Sequence, residues 1–205
     1  MPNMNMNVAP GVVRAAVTAS GARHVCPVWI AHLLASPVRR WFEDPDRILG
    51  PIVRPGDLAL DIGCALGFFT LPLARLVGPQ GRVICVDVQQ DMLTGLQRRL
   101  HKKGLDARVE ARLCAETELP LDDLAGRVDV ALVVHMVHEV PEPRALFEKL
   151  AGAMKPGGNV VFAEPRGHVT AEAFAASLEL ARQAGLDDAG PLPMGRSHNR
   201  LLRKR

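Results

Sequence analysis

From residue 58 onward, short apolar runs alternate with stretches whose apolar residues recur every three or four positions. The runs Leu58–Ile62, Arg82–Val88, Arg108–Leu113, Asp129–His135 and Asn159–Ala163 predict five strands. Asp129–His135 is almost wholly apolar, the pattern of a strand buried on both faces. The intervening stretches predict helices. One covers Gly67–Val77 and closes at Gly78-Pro79. Another covers Asp91–Lys103, with Met92, Leu93, Leu96 and Leu100 on one face and a stop at Gly104. A third opens at Pro143, turns Leu146, Phe147, Leu150 and Met154 inward, and ends at Pro156-Gly157-Gly158. A fourth is capped by Thr170, carries Phe174, Leu178 and Ala181 inward, and closes at Gly185. Two short strands follow, the last near Asn199–Arg203.

Strands alternating with helices predict a parallel sheet with right-handed crossovers and helices on both faces. Ligands of such sheets bind beyond the carboxyl ends of the strands. Ahead of the alternation, residues 24–50 read as a helical cap. Trp29, Ile30, Leu33 and Leu34 recur at helical spacing, Pro37 interrupts, and Val38–Phe42 begins a second amphipathic piece. Asp44-Pro45-Asp46 supplies an N-cap and a proline at the first helical position. Residues 1–23 are expected to be a weakly ordered leader. The remaining chain, 24–205, is then one domain, a cap over 24–50 and a core over 51–205.

Composition changes this picture little. Hydrophobic residues make up 48% and charged residues 23% of 205, as in an ordinary globular protein. A net charge of +3 does not demand a nucleic-acid partner. Cys26, Cys64, Cys85 and Cys114 lie far apart with no CxxC pair, which suggests a reducing compartment, the cytoplasm. No apolar run approaches the roughly 18 residues that span a bilayer.

The candidate chemistry starts at Leu58–Thr70. An apolar strand carries Asp61 and breaks into Gly63-x-Ala65-x-Gly67 before a helix. Small residues allow close approach of a ligand to the backbone, and a helix start offers N–H donors. The dinucleotide fingerprint G-x-G-x-x-G needs a glycine one place beyond Gly67, where this chain has Phe68.

With Val86-Asp87-Val88 closing the second strand, Leu119-Pro120 after the third, Val134–Pro141 after the fourth, and Leu150–Gly158, the ordered set resembles the class I S-adenosylmethionine-dependent methyltransferases over roughly residues 24–205. The resemblance implies a doubly wound, mostly parallel, seven-stranded Rossmann-like α/β sheet, with S-adenosylmethionine as cofactor. It also implies roles. The backbone of Gly63, Cys64, Ala65 and Gly67 meets the amino-acid tail, and Asp61 helps to place the ammonium group. Asp87 accepts from the ribose hydroxyls, while Val88 and Met92 flank the adenine. Ala115 or Glu116 takes the adenine amino group, for Cys114 stands where family members commonly carry aspartate. His135 lines the methionine end. Ala65 replaces the family's middle glycine, which alanine can do if its φ stays negative.

A methyl group on a sulfonium is already activated, so positioning and desolvation can carry much of the reaction. A base is needed only when the acceptor must lose a proton, and His135, His138 and Glu139 are the candidates, with Glu164 at the end of the fifth strand. The spacing of His135, His138 and Glu139 is not the H-E-x-x-H of a zinc site, and no metal is assigned. The cap, with Cys26–Trp29 and Arg39-Arg40-Trp41-Phe42, is placed over the acceptor site, where it suits an anionic or flat aromatic molecule. The expectation is methyl transfer to a small molecule. The alternatives are an RNA methyltransferase using the basic carboxyl end, a non-catalytic cofactor-binding protein, and a thiolate-assisted variant if Cys26, Cys64 and Cys114 converge.

Overall fold

Seven strands form one sheet in the order β3-β2-β1-β4-β5-β7-β6. The computed structural model describes residues 43–115 and 117–205. The expected leader, most of the expected cap (including Cys26, Trp29, Arg39 and Arg40) and Glu116 lie outside the described residues. In chain order the elements are α1 (Pro45–Leu49), β1 (Leu58–Ile62), α2 (Thr70–Leu76), β2 (Arg82–Asp87), α3 (Gln90–His101), β3 (Val109–Leu113), β4 (Val128–Val134), α4 (Pro143–Ala153), β5 (Met154–Pro165), α5 (Ala171–Gln183), β6 (Leu186–Asp188) and β7 (Ser197–Lys204). The first five strands pair in parallel, and β7 runs antiparallel to both β5 and β6. The doubly wound, mostly parallel seven-stranded arrangement is as expected. No described helix is long and apolar enough to cross a membrane.

The two-residue period of a strand explains why these runs are apolar throughout. Leu60, Ile62, Ala131, Val133, Val160 and Phe162 point to the face covered by α4 and α5. Their neighbours Ala59, Val130, Leu132, Val161 and Ala163 point to the face covered by α1, α2 and α3. Asp61 shares the second face, and this puts a carboxylate beneath α2. Asp44 caps α1 by accepting from the Asp46 amide at 3.1 Å, and Thr70 is buried at the start of α2.

Two boundaries differ from the sequence reading. The helix expected from Gly67 begins only at Thr70 and is seven residues long. Gly67, at φ +79°, is in the left-handed region, outside the helical range, and a Cβ there would stand 2.4 Å from a Leu96 methyl. Lys155-Pro156-Gly157-Gly158, expected to end α4, instead opens β5 as a bulge, since Val128 pairs with Met154 while Val130 pairs with Asn159. Glycine suits position 158, because a Cβ would crowd the Lys155 and Asp129 carbonyl oxygens at 3.0 and 3.1 Å and the Met154 methyl at 2.8 Å. Asp129 fastens the corner, pairing with Lys155 at 2.5 Å and accepting from the Leu58 amide at 2.9 Å.

The α4/α5 face centres on Phe162, which is fully buried, stacked on Phe174 at 4.8 Å and edge-on to Phe147 at 5.4 Å. Truncating it with Phe162→Ala is expected to cost about 3–5 kcal/mol, and Phe162→Leu about 1–2 kcal/mol. The measurement is the urea midpoint at constant slope. Equal losses for the two variants would contradict a packed aromatic centre.

Candidate functional site

Parallel pairing brings the carboxyl ends of β1, β2, β4 and β5 to one rim, and the segments leaving them meet there. The segment after β1 is Gly63–Phe69. It is tied to β2 by its own amides: Gly63 and Cys64 donate to the Val86 carbonyl at 2.8 and 3.2 Å, and Ala65 donates to Asp87 Oδ2 at 2.8 Å. From α3 the Arg99 guanidinium donates to the Leu66 carbonyl. Gly63 is exposed at φ +73°, and a Cβ on it would lie 3.1 Å from Met136, so the segments after β1 and β4 touch. Because α2 starts three residues beyond Gly67, it is the loop backbone, and not a helix end, that faces the rim.

Ala65 departs from expectation. Its φ is +45°, the left-handed region that a negative φ was expected to avoid. The hydrogen bond from its amide to Asp87 and the packing of Leu66 against Met92 hold it there.

Two carboxylates lie under this loop. Asp61 is 4% exposed and accepts from the Thr70 hydroxyl at 2.6 Å. Burial, helped by the Asp87 charge, pushes its pKa up to about 6 against the pull of that hydroxyl. Asp87, also buried, accepts from the Gln89 amide on Oδ1 at 2.9 Å and from Ala65 on Oδ2. Burial raises its pKa, and these amides oppose the rise. Each oxygen keeps a lone pair for a further donor. Beside it Val88 is exposed, whereas Met92 is buried against Leu66 beneath the loop, one layer behind the rim. Ala115 is exposed beyond β3. Cys114 donates its amide to the Asp87 carbonyl at 3.1 Å, and burial pushes its thiol up to about 12. The Cys64 thiol is pushed up as well, by burial and by Cys85. Neither is a poised thiolate, which removes support from the thiolate-assisted alternative.

The candidate bases separate into two groups. His135 has φ +59°, and its ring turns away toward β7, with Nε2 2.8 Å from Ser197 Oγ and 3.4 Å from Glu43 Oε1. Ser197 in turn donates to Glu43 at 2.9 Å. His138, on the 3₁₀ turn Val137–Glu139, joins its Nδ1 to Glu164 Oε2. The other Glu164 oxygen accepts from the Val137 amide at 2.8 Å, and burial raises the Glu164 pKa. Glu139 Oε1 lies 3.8 Å from His138 Nε2, and its pKa is raised by burial and by the carboxylates of Glu164 and Asp87. His138, Glu139 and Glu164 therefore belong together beside Asp87. Glu43 and Ser197 were missed by the sequence reading, since only the reversed strand β7 brings residue 197 next to residue 135.

Comparison with known proteins places this geometry among relatives. Residues 54–189 match the family model described as a methyltransferase domain. A demethylmenaquinone methyltransferase of Bacillus cytotoxicus is 30% identical over 126 residues, 62% of this chain and 51% of its own length. An uncharacterized 37.1 kDa protein in transposon TN4556 of Streptomyces fradiae is 38% identical over 112 residues, 55% of this chain and 31% of its own. The chain thus spans a third to a half of the length of the curated relatives it matches. Among solved structures, a SAM-dependent methyltransferase from Aquifex aeolicus superposes with a TM-score of 0.77 at 23% identity, covering 88% of this chain and 100% of that one. The [4+2]-cyclase SpnF superposes with a TM-score of 0.58 at 21% identity, covering 80% of this chain and 59% of its own. Likeness at that level shows the fold.

Two outcomes follow from the loop. Asp61 holds its proton more tightly folded than unfolded, so its contribution to stability is fully present below about pH 4 and is lost as pH rises through about 6. Asp61→Asn, which can still accept from Thr70, is expected to be more stable than the parent by on the order of 2–3 kcal/mol at pH 8, with the gap closing toward pH 4. Chemical denaturation across that range measures it. Ala65→Gly relieves about 1–2 kcal/mol of left-handed strain and gives back about 0.5–1 kcal/mol in chain entropy, a net gain of about 0.5–1 kcal/mol. A loss of stability in this variant would mean that the left-handed turn is not strained.

Proposed function

Because the chain belongs to the methyltransferase-domain family of S-adenosylmethionine-dependent enzymes, we propose that it transfers the methyl group to a small-molecule acceptor, with His138 as the proton-accepting side chain. The observation that carries this reading is the rim itself: an exposed glycine loop, the Asp87 carboxylate with unused lone pairs, and a histidine held by a buried glutamate, all converging at the carboxyl ends of β1, β2, β4 and β5.

The residues fit a nucleoside with a charged amino-acid tail. Gly63 leaves open the space that a Cβ would take up against Met136, so a ligand can lie against the backbone. Asp87 can accept from vicinal hydroxyls with both oxygens, and exposed Val88 offers an apolar surface next to it. Ala115, whose carbonyl accepts from the Glu118 amide at 3.2 Å, stands exposed after β3. The buried carboxylates Asp61, Asp87 and Glu164, with the partly exposed Glu139, favour a cation among them. When bound, S-adenosylmethionine supplies a methyl group already activated by positive sulfur. The protein's part is then to orient the acceptor, exclude water and receive a proton. With the Nδ1 proton shared with Glu164, Nε2 of His138 is the nitrogen left to accept. Glu164 acts as a positioning residue. His135, engaged with Ser197 and Glu43, serves to fix the end of β4. The free thiols Cys64, Cys85 and Cys114 accord with a cytoplasmic setting.

Calorimetric titration with S-adenosylhomocysteine tests the cofactor half. The parent protein is expected to bind, and Asp87→Ala to bind about 10–100-fold more weakly, since hydrogen bonds to a charged group contribute about 1.5–3 kcal/mol. No binding by the parent protein would end the proposal. Transfer of labelled methyl across a panel of small acceptors tests the other half. On an acceptor that takes the label, His138→Asn is expected to turn over about 100-fold more slowly with unchanged affinity for the cofactor product. An undiminished rate would mean that positioning alone suffices.

A further inference from the structure

A cleft of about 700 Å³ opens beside the carboxyl end of β5, between the β6–β7 connection, the first two turns of α5, and α1. That volume lies within the range of small-molecule sites, roughly 300–1,000 Å³. One wall is an apolar stripe on α5, where Ala171, Phe174, Ala175 and Leu178 recur at helical spacing. The floor is aromatic, because the His198 ring stacks on Phe174 at 5.5 Å and 26°. The rim is cationic, formed by Arg47, Arg166 and Arg200.

The three arginines are not equivalent. Arg200 is already used: Nε donates to Asp188 at 3.0 Å and Nη1 to the Asn199 carbonyl at 2.8 Å. Arg47 and Arg166 are exposed, and among the described residues neither guanidinium has a partner. The neighbouring acids do not neutralise them. Asp46 pairs with Arg75, Asp188 pairs with Arg200, and Glu172 turns onto Thr170 and its own helix start. Two unneutralised guanidinium groups, each with five N–H donors, beside an apolar cleft, match an oxyanion carried on an apolar body.

The cleft also borders the candidate reaction centre. Ser197 in its lining is hydrogen-bonded to His135 at the end of β4. His198 pairs in register with Glu164, the residue that holds His138. A molecule anchored at Arg47 and Arg166 and laid along Phe174 and His198 therefore lies beside the strand pair that carries Glu164, the partner of His138. We propose that this cleft binds the methyl acceptor, and that the acceptor is an amphipathic molecule with a carboxylate or phosphate group on an apolar body. The proposal rests on the methyltransferase reading above and adds the acceptor's chemical class to it.

The test needs no knowledge of the natural acceptor. The probe is 8-anilinonaphthalene-1-sulfonate, titrated by fluorescence against the full chain with S-adenosylhomocysteine at saturation, so that the cofactor site is filled. Saturable binding is expected, weakened about tenfold by Arg47→Gln or Arg166→Gln and by more than tenfold in the double variant, with the parent's advantage shrinking as salt rises. Decanoate and decyl phosphate are expected to displace the probe, and the tighter of the two identifies the oxyanion. Decanol is expected to leave the probe in place. Probe affinity unchanged in the double variant, or displacement by decanol as readily as by the two anions, would overturn the proposal. Both substituted side chains are exposed, and thermal unfolding of the variants checks that the fold is intact. Calorimetry with S-adenosylhomocysteine alone reads the cofactor site separately, so a failure there is distinguishable from a failure of the cleft.

Discussion

A parallel sheet with both faces covered has no polar surface except along its edges and at the ends of its strands. Here the constraint is severe, because the central stretches of β1, β2, β4 and β5 (the last over 160–163) are almost wholly apolar and feed two separate core clusters. Most hydrophilic groups on these strands are placed at an end or matched by a partner under a helix, with the Asn159 side-chain oxygen, buried and unpartnered among the described residues, as an exception. Asp87 and Glu164 take the first course and Asp61 takes the second, with the Thr70 hydroxyl as its match. The polar rim is therefore a consequence of how completely the core is closed.

The same constraint explains why the rim is strained and charged. Ala65 and His135 both adopt positive φ where chain leaves a buried strand and must turn at once. Asp61, Asp87, Glu139 and Glu164 all have raised pKa values, in each case chiefly through burial. A fold selected for stability alone would replace such groups with neutral ones. Their presence together at one end of the sheet is the pattern expected where binding has been favoured over stability.

His135 and His138 illustrate how two similar side chains acquire different roles three residues apart. The left-handed turn at His135 sends its ring to β7, where Ser197 and Glu43 occupy it. The 3₁₀ turn that follows returns His138 to the end of β5 and its glutamate. Ser197 and His198, consecutive on β7, then connect this rim to the arginine-edged cleft, Ser197 through its hydrogen bond to His135 and His198 through its register with Glu164.

Strand runs, helical stripes, the caps at Asp44 and Thr170, the small-residue loop and the acid closing the second strand were all legible in the residues, because each rests on local periodicity or on the chemistry of a single position. The seven-stranded, mostly parallel sheet came with the family resemblance that these motifs carry, whereas the strand order came from the structure. Contacts between segments distant in the chain were not legible. Nothing near His135 announces Ser197, which is 62 residues away on a reversed strand, and nothing near Asp61 marks Thr70 as its partner. The sign of φ at Ala65 was likewise settled by the Asp87 carboxylate and not by alanine's own preference, since a hydrogen bond formed across the fold can outweigh a local strain of about 1–2 kcal/mol. Helix boundaries shifted for the same reason: Gly67 sits in the left-handed region with a Leu96 methyl close by, and Gly158 is crowded by two carbonyl oxygens, contacts made across the fold.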